Sequence, residues 1–185
     1  MGNGADSYRR FLDGDDMGLA DVMREYRDDL TLYLNNYLGN IHIAEEMAED
    51  TFFRLMIKKP KFSGKSTFKS WLYAIGRHVT VDYLRHHSKE APLSLEEAEY
   101  YHRESENPEE VYLTEERKRK LYEALATLST EYRAVLWLIY FEEFSFEETA
   151  AALKKSHRQT ANLLYRAKQS LKSKLEKEGF AYENL

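Results

Sequence analysis

Apolar residues recur every three or four positions through most of this chain, which is the spacing of one face of an α-helix. In the first half, the pattern predicts helices from about residue 19 to 37, from 43 to 57 and from 68 to 86. Gly39 and Asn40 suit the end of the first helix, and Pro60 stops the second. No Asn-Gly or Asp-Gly pair lies between two stretches of alternating apolar and polar residues, so no hairpin is predicted. The pattern therefore predicts an all-α protein.

The second half repeats the helical pattern with clear start signals. Leu128 closes one predicted helix, and Ser129 is positioned to cap the next. Ser145 caps a short helix over 146–153, and Ser156 caps a longer one from His157 to about Lys177. Two helices joined by the short turn at 154–156 match a helix-turn-helix.

A change of composition separates the two helical halves. Residues 88–110 contain Pro92, Pro108 and many glutamates, with few residues that build a core. This stretch is typical of an exposed acidic linker. We therefore expect two small helical domains, 1–87 and 111–185, joined by a linker at 88–110, with the helix-turn-helix in the C-terminal domain.

Composition excludes several classes of protein. The chain has no cysteine, and its six histidines lack the spacing of a metal site. Neither a glycine-rich phosphate loop nor a nucleophile elbow is present. No apolar run approaches the roughly 20 residues that span a bilayer, and the polar, acidic N-terminus is unlike a secretion signal. We expect a cytoplasmic protein that is not an enzyme, with no catalytic residues, cofactor, metal or membrane insertion.

Charge is distributed unevenly along the chain, whose formal net charge is -5. Residues 58–88 contain 7 Lys and Arg against 1 Asp, and residues 154–177 contain 8 against 1 Glu. Affinity for nucleic acid depends on local positive charge that displaces counterions, so two basic segments in an acidic chain are compatible with DNA binding. Two solvated basic helix faces would give the same count.

The two basic segments carry different chemistry. In the helix from 157 to 177, an apolar stripe leaves residues on the other faces that suit base-edge and phosphate contacts, although a structural helical hairpin would show the same stripe. Between 58 and 87, lysines and arginines alternate with aromatic residues, as in proteins that bind single-stranded DNA. Trp71 on its own is better explained as a core residue than as a stacking platform, because it shares a face with Ile75.

The order of these motifs resembles a known family. Residues 45–87 contain a carboxylate pair before Thr-Phe, a Phe-x-Gly loop, Phe-x-x-Trp-Leu and Asp-x-Leu-Arg, and they resemble region 2 of the extracytoplasmic-function (ECF) sigma factors. Residues 125–175 resemble region 4 of the same family. The resemblance implies that 1–87 is region 2, which binds core polymerase and melts the −10 element. It implies that 111–185 is region 4, which reads the −35 element.

The resemblance also implies partners and site residues. The partners are core RNA polymerase, through its β′ clamp helices and β flap, promoter DNA and an anti-sigma factor. Docking on the clamp helices is implied for Glu45, Glu46, Glu49, Asp50, Phe53 and Arg54. Melting and reading of the −10 strand are implied for Phe62, Gly64, Lys65, Ser66, Phe68, Trp71, Arg77 and His78. Reading of the −35 duplex is implied for Arg158, Gln159, Asn162, Tyr165 and Arg166.

One alternative function stays open at this point. A transcriptional regulator that acts without polymerase would also use the helix-turn-helix. That reading leaves the basic, aromatic segment from 58 to 71 without a role.

Overall fold

The computed structural model describes residues 4–87 and 119–177, and every regular element in these two ranges is an α-helix. The all-α prediction is confirmed, and the predicted linker at 88–110 lies outside the described residues. The N-terminal module consists of α1 (Gly4–Leu12), α2 (Asp16–Leu38), α3 (Ile41–Lys58) and α4 (Phe68–His87). The C-terminal module consists of α5, the helical residues 119–126, and α6 (Thr130–Tyr140), α7 (Phe146–Leu153) and α8 (His157–Lys177).

Most helix ends follow the start and stop residues of the sequence, although Ser129 at the start of α6 makes no side-chain cap hydrogen bond. Gly39 ends α2 in the left-handed conformation with φ 62°, and the Asn40 side chain accepts a hydrogen bond from the Ile43 amide at the start of α3. Ser145 and Glu148 form a reciprocal capping box at the start of α7. These caps satisfy amides that have no partner inside the helix, so they fix where each helix begins.

The first helix was not predicted. The periodic pattern predicts helices only from about residue 19 onward, whereas α1 precedes this point and packs against α2 through its buried Tyr8 and Phe11. A Cβ on Gly18 would clash with the Ser7 carbonyl oxygen, so a glycine is needed for the two helices to approach this closely. Three large apolar residues, Tyr8, Phe11 and Leu12, in a short and otherwise polar stretch are too few to give a periodic signal.

Each module buries its own apolar stripes, and the two modules also pack against each other. Helix α6 lies against α2, and α7 lies against α4, so the two cores form one continuous cluster. The centre of the N-terminal module is formed by side chains from three helices, Leu30, Leu34, Phe52, Leu55 and Leu72. The centre of the C-terminal module is formed mainly by Val135, Leu136, Leu138, Leu153 and Ala167.

A buried arginine joins the two modules. Arg133 on α6 is 6% exposed and donates two hydrogen bonds to the Asn36 carbonyl oxygen in the last turn of α2, at 3.1 and 2.9 Å. It also donates to the carbonyl oxygens of Ala126 and Leu128, at the end of α5 and just after it, at 3.0 and 2.7 Å. Burial lowers the pKa of this guanidinium. The carbonyl ends of two helices carry partial negative charge, so they stabilise the cation without a carboxylate.

We predict that Arg133→Met lowers the free energy of unfolding by about 2–3 kcal/mol, because it removes charged hydrogen bonds and leaves buried carbonyl groups without donors. Urea unfolding followed by circular dichroism measures the change. Arg24→Met is the matched control, since the Arg24 side chain is mostly exposed and pairs with Asp21 within α2. A change of under about 0.5 kcal/mol for Arg133→Met, as expected for the control, would contradict the prediction.

Candidate nucleic-acid and polymerase interfaces

The second helix of the helix-turn-helix presents a polar face to solvent. Thr160, Ala167 and Leu175 are buried, which turns the opposite face of α8 outward. Tyr165 is 66% exposed. All five residues that the sequence singled out here are exposed, namely Arg158, Gln159, Asn162, Tyr165 and Arg166. The face is therefore open to a DNA groove in the arrangement described.

The turn before α8 sets the start of this face. Lys154 adopts the left-handed conformation with φ 51°, and Ser156 and Gln159 form a reciprocal cap at the start of the helix. The Gln159 side-chain oxygen accepts a hydrogen bond from the Ser156 amide at 2.8 Å. One lone pair of that oxygen is thus used by the cap, which leaves the second lone pair and the amide NH₂ of Gln159 for a base edge.

The loop between α3 and α4, residues 59–67, is called the basic loop here. Lys59, Lys61 and Lys65 are exposed along it. Gly64 has φ +70°, and a Cβ added to it would meet no other atom within 4 Å. Ser66 is half-buried. The loop thus offers three exposed cationic side chains around a glycine turn, which suits contact with the phosphates of a nucleic-acid strand.

Aromatic rings support the basic loop from below. Phe62 and Trp71 are half-buried, with ring centroids 5.3 Å apart, and Phe68 lies 5.5 Å from Phe62 and 5.4 Å from Trp71. Phe68 is 3% exposed, so a base cannot stack on it in this arrangement. Its position is that of a core support, while Phe62 and Trp71 are partly open to solvent.

The two remaining residues of the −10 set lie further along α4. The His78 side chain is exposed, with Nε2 3.3 Å from an Asp82 carboxylate oxygen. Arg77 is half-buried beside Tyr37, and its Nε is buried without a hydrogen-bond partner. Burial raises the pKa of the Tyr37 hydroxyl, while the hydrogen bond with Tyr33 and the charge of Arg77 act in the opposite direction. Arg77 is therefore turned toward the core side of α4, whereas His78 is turned toward solvent.

A mixed acidic and apolar face runs along α3. Glu45, Glu46, Glu49 and Asp50 are exposed, Phe53 is 58% exposed, and Arg54 is half-buried. Met56 and Ile57, which were not among the residues singled out in the sequence, are also exposed on this helix. An open groove of about 220 Å³ lies beside them, lined by Asp50, Phe53, Arg54, Ile57, Lys58 and Val79. Exposed apolar groups rimmed by charge are typical of a protein-binding surface.

The turn between α6 and α7 packs on part of the surface of α4. Glu142 in this turn accepts hydrogen bonds from the Tyr73 hydroxyl at 2.8 Å and from Trp137 Nε1 at 3.0 Å, and Lys69 Nζ lies 2.8 Å from its carboxylate. Phe144 packs on the Tyr73 ring, with centroids 5.2 Å apart. Burial, and then the Glu142 charge, raise the pKa of Tyr73. Lys69, a cation of the 58–87 segment, is thus already paired.

Sequence reasoning missed this contact. Glu142 is followed by Glu143, and two adjacent glutamates between helices look like solvent-exposed turn residues. Glu148 makes a second contact between the modules. Burial alone would raise the pKa of its carboxyl group, but hydrogen bonds from Ser145 and Thr67 and the charge of Lys69 outweigh burial and lower this pKa. Thr67 and Lys69 belong to the other module, and no periodic pattern links them to residues so far away along the chain.

The described ranges contain neither a metal-binding cluster nor a membrane-spanning helix. Within residues 4–87 and 119–177, no group of three or more His, Asp or Glu side chains is arranged to hold a metal ion. None of the helices in those ranges is both long and apolar enough to cross a membrane.

Comparison with known proteins identifies the family. The family model of sigma-70 region 2 matches residues 22–90, and that of sigma-70 region 4 matches residues 118–171. Two relatives from Bacillus subtilis (strain 168) match over most of their length. The RNA polymerase sigma factor YlaC is 28% identical over 160 residues, which cover 86% of this chain and 92% of YlaC. The ECF RNA polymerase sigma factor SigW is 26% identical over 170 residues, which cover 88% and 91%.

The chain belongs to the ECF sigma factors of the sigma-70 family. Two solved structures share the fold of this sigma factor. CnrH, in complex with the cytosolic domain of CnrY, has a TM-score of 0.66 at 18% identity and covers 95% of this chain and 98% of its own. The sigma factor RpoE of Bartonella quintana, in complex with the anti-sigma factor NepR, has a TM-score of 0.62 at 22% identity and covers 85% and 96%. Region 2 of this ECF sigma factor thus spans most of α2 and all of α3 and α4, and α1 lies outside both matched ranges.

We predict that Gly64→Ala in this sigma factor lowers the free energy of unfolding by about 1 kcal/mol, because a Cβ is disfavoured at φ +70° even where space is free. Gly64→Asn is the matched control, since asparagine tolerates the left-handed region better than alanine. Urea unfolding of both variants measures the difference. Equal stability of the alanine variant and the parent chain would show that the turn relaxes without cost.

Proposed function

We propose that this ECF sigma factor is an alternative sigma subunit that binds core RNA polymerase, recognises −35 and −10 promoter elements and promotes DNA melting. One observation carries the proposal. Region 2 and region 4 follow each other in one chain, and each includes an exposed basic segment. The chain acts as a DNA-binding initiation factor and contributes no catalytic group. A regulator that acts without polymerase would leave the region 2 match unexplained.

The division of labour follows the two modules. We assign residues 1–87 to region 2, 88–110 to the linker and 111–185 to region 4. Core polymerase is bound by the α3 face, through Glu45, Glu46, Glu49, Asp50, Phe53 and Arg54. This assignment is supported by the charge of the face, which suits a basic partner surface, and by the apolar groove beside it.

Melting and −10 recognition are assigned to the basic loop and the exposed side of α4. Flipping a base out of the duplex costs a few kcal/mol, so a preformed pocket that binds the extruded base stabilises the melted state. Lys65, Gly64 and Ser66 line the loop surface, and Phe62 and Trp71 form its aromatic floor. His78 extends the surface along α4. Phe68 supports the floor, and Arg77 has to rotate away from Tyr37 to reach a strand.

Recognition of the −35 element is assigned to α8. A helix whose first turns carry Arg158, Gln159 and Asn162 suits the major groove, where such side chains bind base edges and phosphates. Tyr165 and Arg166 follow one turn later on the same exposed face. We also propose that the β flap of the polymerase contacts region 4.

An anti-sigma factor is proposed as a further partner. The two similar structures contain CnrH with the cytosolic domain of CnrY, and RpoE with the anti-sigma factor NepR. In this chain the exposed Phe53, Met56 and Ile57 on α3 offer an apolar surface for such a protein. An inhibitor that covers this surface would compete directly with core polymerase.

Transcription with reconstituted core polymerase on a genomic promoter library tests the proposal. The sigma factor is expected to direct initiation from a distinct set of promoters, and their alignment gives the −35 and −10 sequences. A pull-down at micromolar concentration measures binding to core polymerase in the same preparation. Absence of both binding and promoter-specific transcripts would leave the polymerase-independent regulator as the better function.

We predict separable effects of Arg166→Ala and Lys65→Ala in the holoenzyme. Arg166→Ala should weaken binding to a −35 duplex by about 1–3 kcal/mol, because a charge-assisted DNA contact is lost. Lys65→Ala should slow open-complex formation roughly threefold or more, with −35 binding unchanged. Lys177→Ala, at the far end of α8, is the control.

Trp71→Ala should also slow open-complex formation, but it removes ring packing as well. Unchanged open-complex formation in Arg166→Ala, Lys65→Ala and Trp71→Ala would refute the site assignment.

A further inference from the structure

Helix α1 contacts the basic loop, although it lies outside both matched family ranges. The Tyr8 hydroxyl donates a hydrogen bond to the Pro60 carbonyl oxygen at 2.9 Å, near the start of the loop. Lys59 Nζ lies 4.7 Å from the centroid of the Phe11 ring. Two residues three positions apart on α1 therefore hold two neighbouring residues of the loop.

The same helix supports the aromatic floor of the loop. Tyr8 is 1% exposed, and its ring centroid lies 5.3 Å from that of Trp71 and 5.6 Å from that of Phe68. The Tyr8 hydroxyl is protonated at neutral pH and is the donor to Pro60, and burial raises its pKa further, to about 12. The hydrogen bond and the ring packing thus fix the loop backbone relative to Phe62 and Trp71.

The start of α1 is held just as closely. A Cβ on Gly4 would lie 2.5 Å from Tyr26 Cε2 and 2.8 Å from Phe68 Cδ1, so the first turn of α1 touches the same aromatic cluster. A helix fixed at both ends by buried rings is a rigid support. The loop itself has no regular secondary structure, so its order depends on such external contacts.

We infer that Tyr8 is a positioning residue, which orders the basic loop so that it can bind the extruded −10 base. The inference rests on the proposed function. A loop that is ordered before binding loses less conformational entropy when the strand arrives, so the affinity for the melted strand is higher. Tyr8 acts through the Pro60 carbonyl and does not touch the DNA.

Tyr8→Phe tests the inference because it keeps the ring and removes only the hydroxyl. Holoenzyme is reconstituted from the full chain and core polymerase, and two probes are used: a single-stranded −10 oligonucleotide and a −35 duplex from a promoter found in the library experiment. Tyr8→Phe is expected to weaken binding of the single strand roughly three- to tenfold and to leave the duplex unchanged. Tyr132→Phe, which removes a hydroxyl from α6, is expected to change neither.

Phe11→Leu gives a second variant, because it removes the ring below Lys59 while keeping apolar volume. It should weaken single-strand binding in the same direction. Normal single-strand binding by both variants, with Lys65→Ala defective, overturns the positioning role and leaves the proposed function intact. Equal losses on both DNA probes also overturn it, since that pattern indicates general destabilisation. Normal binding by Lys65→Ala as well shows that the −10 assignment itself is wrong.

Discussion

The packing of the α6–α7 turn against α4 decides which surfaces of this ECF sigma factor are free. Glu142 is buried where donors from both modules converge, and a buried carboxylate is stable only while those donors stay in place. Arg133 has the complementary role elsewhere in the interface, where it is surrounded by carbonyl oxygens. Two opposite charges, each satisfied across the module boundary, thus hold the halves together with a definite orientation.

In this orientation of the modules, some candidate binding surfaces are exposed and others are covered. The outer face of α8, the basic loop and the acidic face of α3 remain exposed, while Lys69 and Tyr73 are covered. A chain with a net charge of -5 can still bind DNA because its cations are concentrated on α8 and the loop. The acidic α3 face is a separate surface of region 2, and its charge suits a basic protein partner.

Rigid supports lie beneath each of the proposed DNA-binding sites. The capping boxes at Ser145 and Ser156 fix the starts of α7 and α8, and the ring cluster of Tyr8, Phe62, Phe68 and Trp71 lies below the basic loop. Binding groups on rigid elements lose less entropy when a ligand arrives. The short α1 belongs to this supporting layer, although the range matched by the region 2 family model begins only in α2.

The sequence by itself determined the helices after α1, the caps at Ser145 and Ser156 and the exposed face of α8, because these depend on residues three or four positions apart. Leu164, Ala167 and Leu171 define a stripe wherever α8 packs, so the outward position of Arg166 followed from the pattern. The tertiary structure alone decided that α1 packs on the ring cluster, that Phe68 is buried and that Glu142 is paired. Each of these depends on which distant side chains meet, and local periodicity carries no information about a contact between Tyr73 and Glu142 across 69 positions.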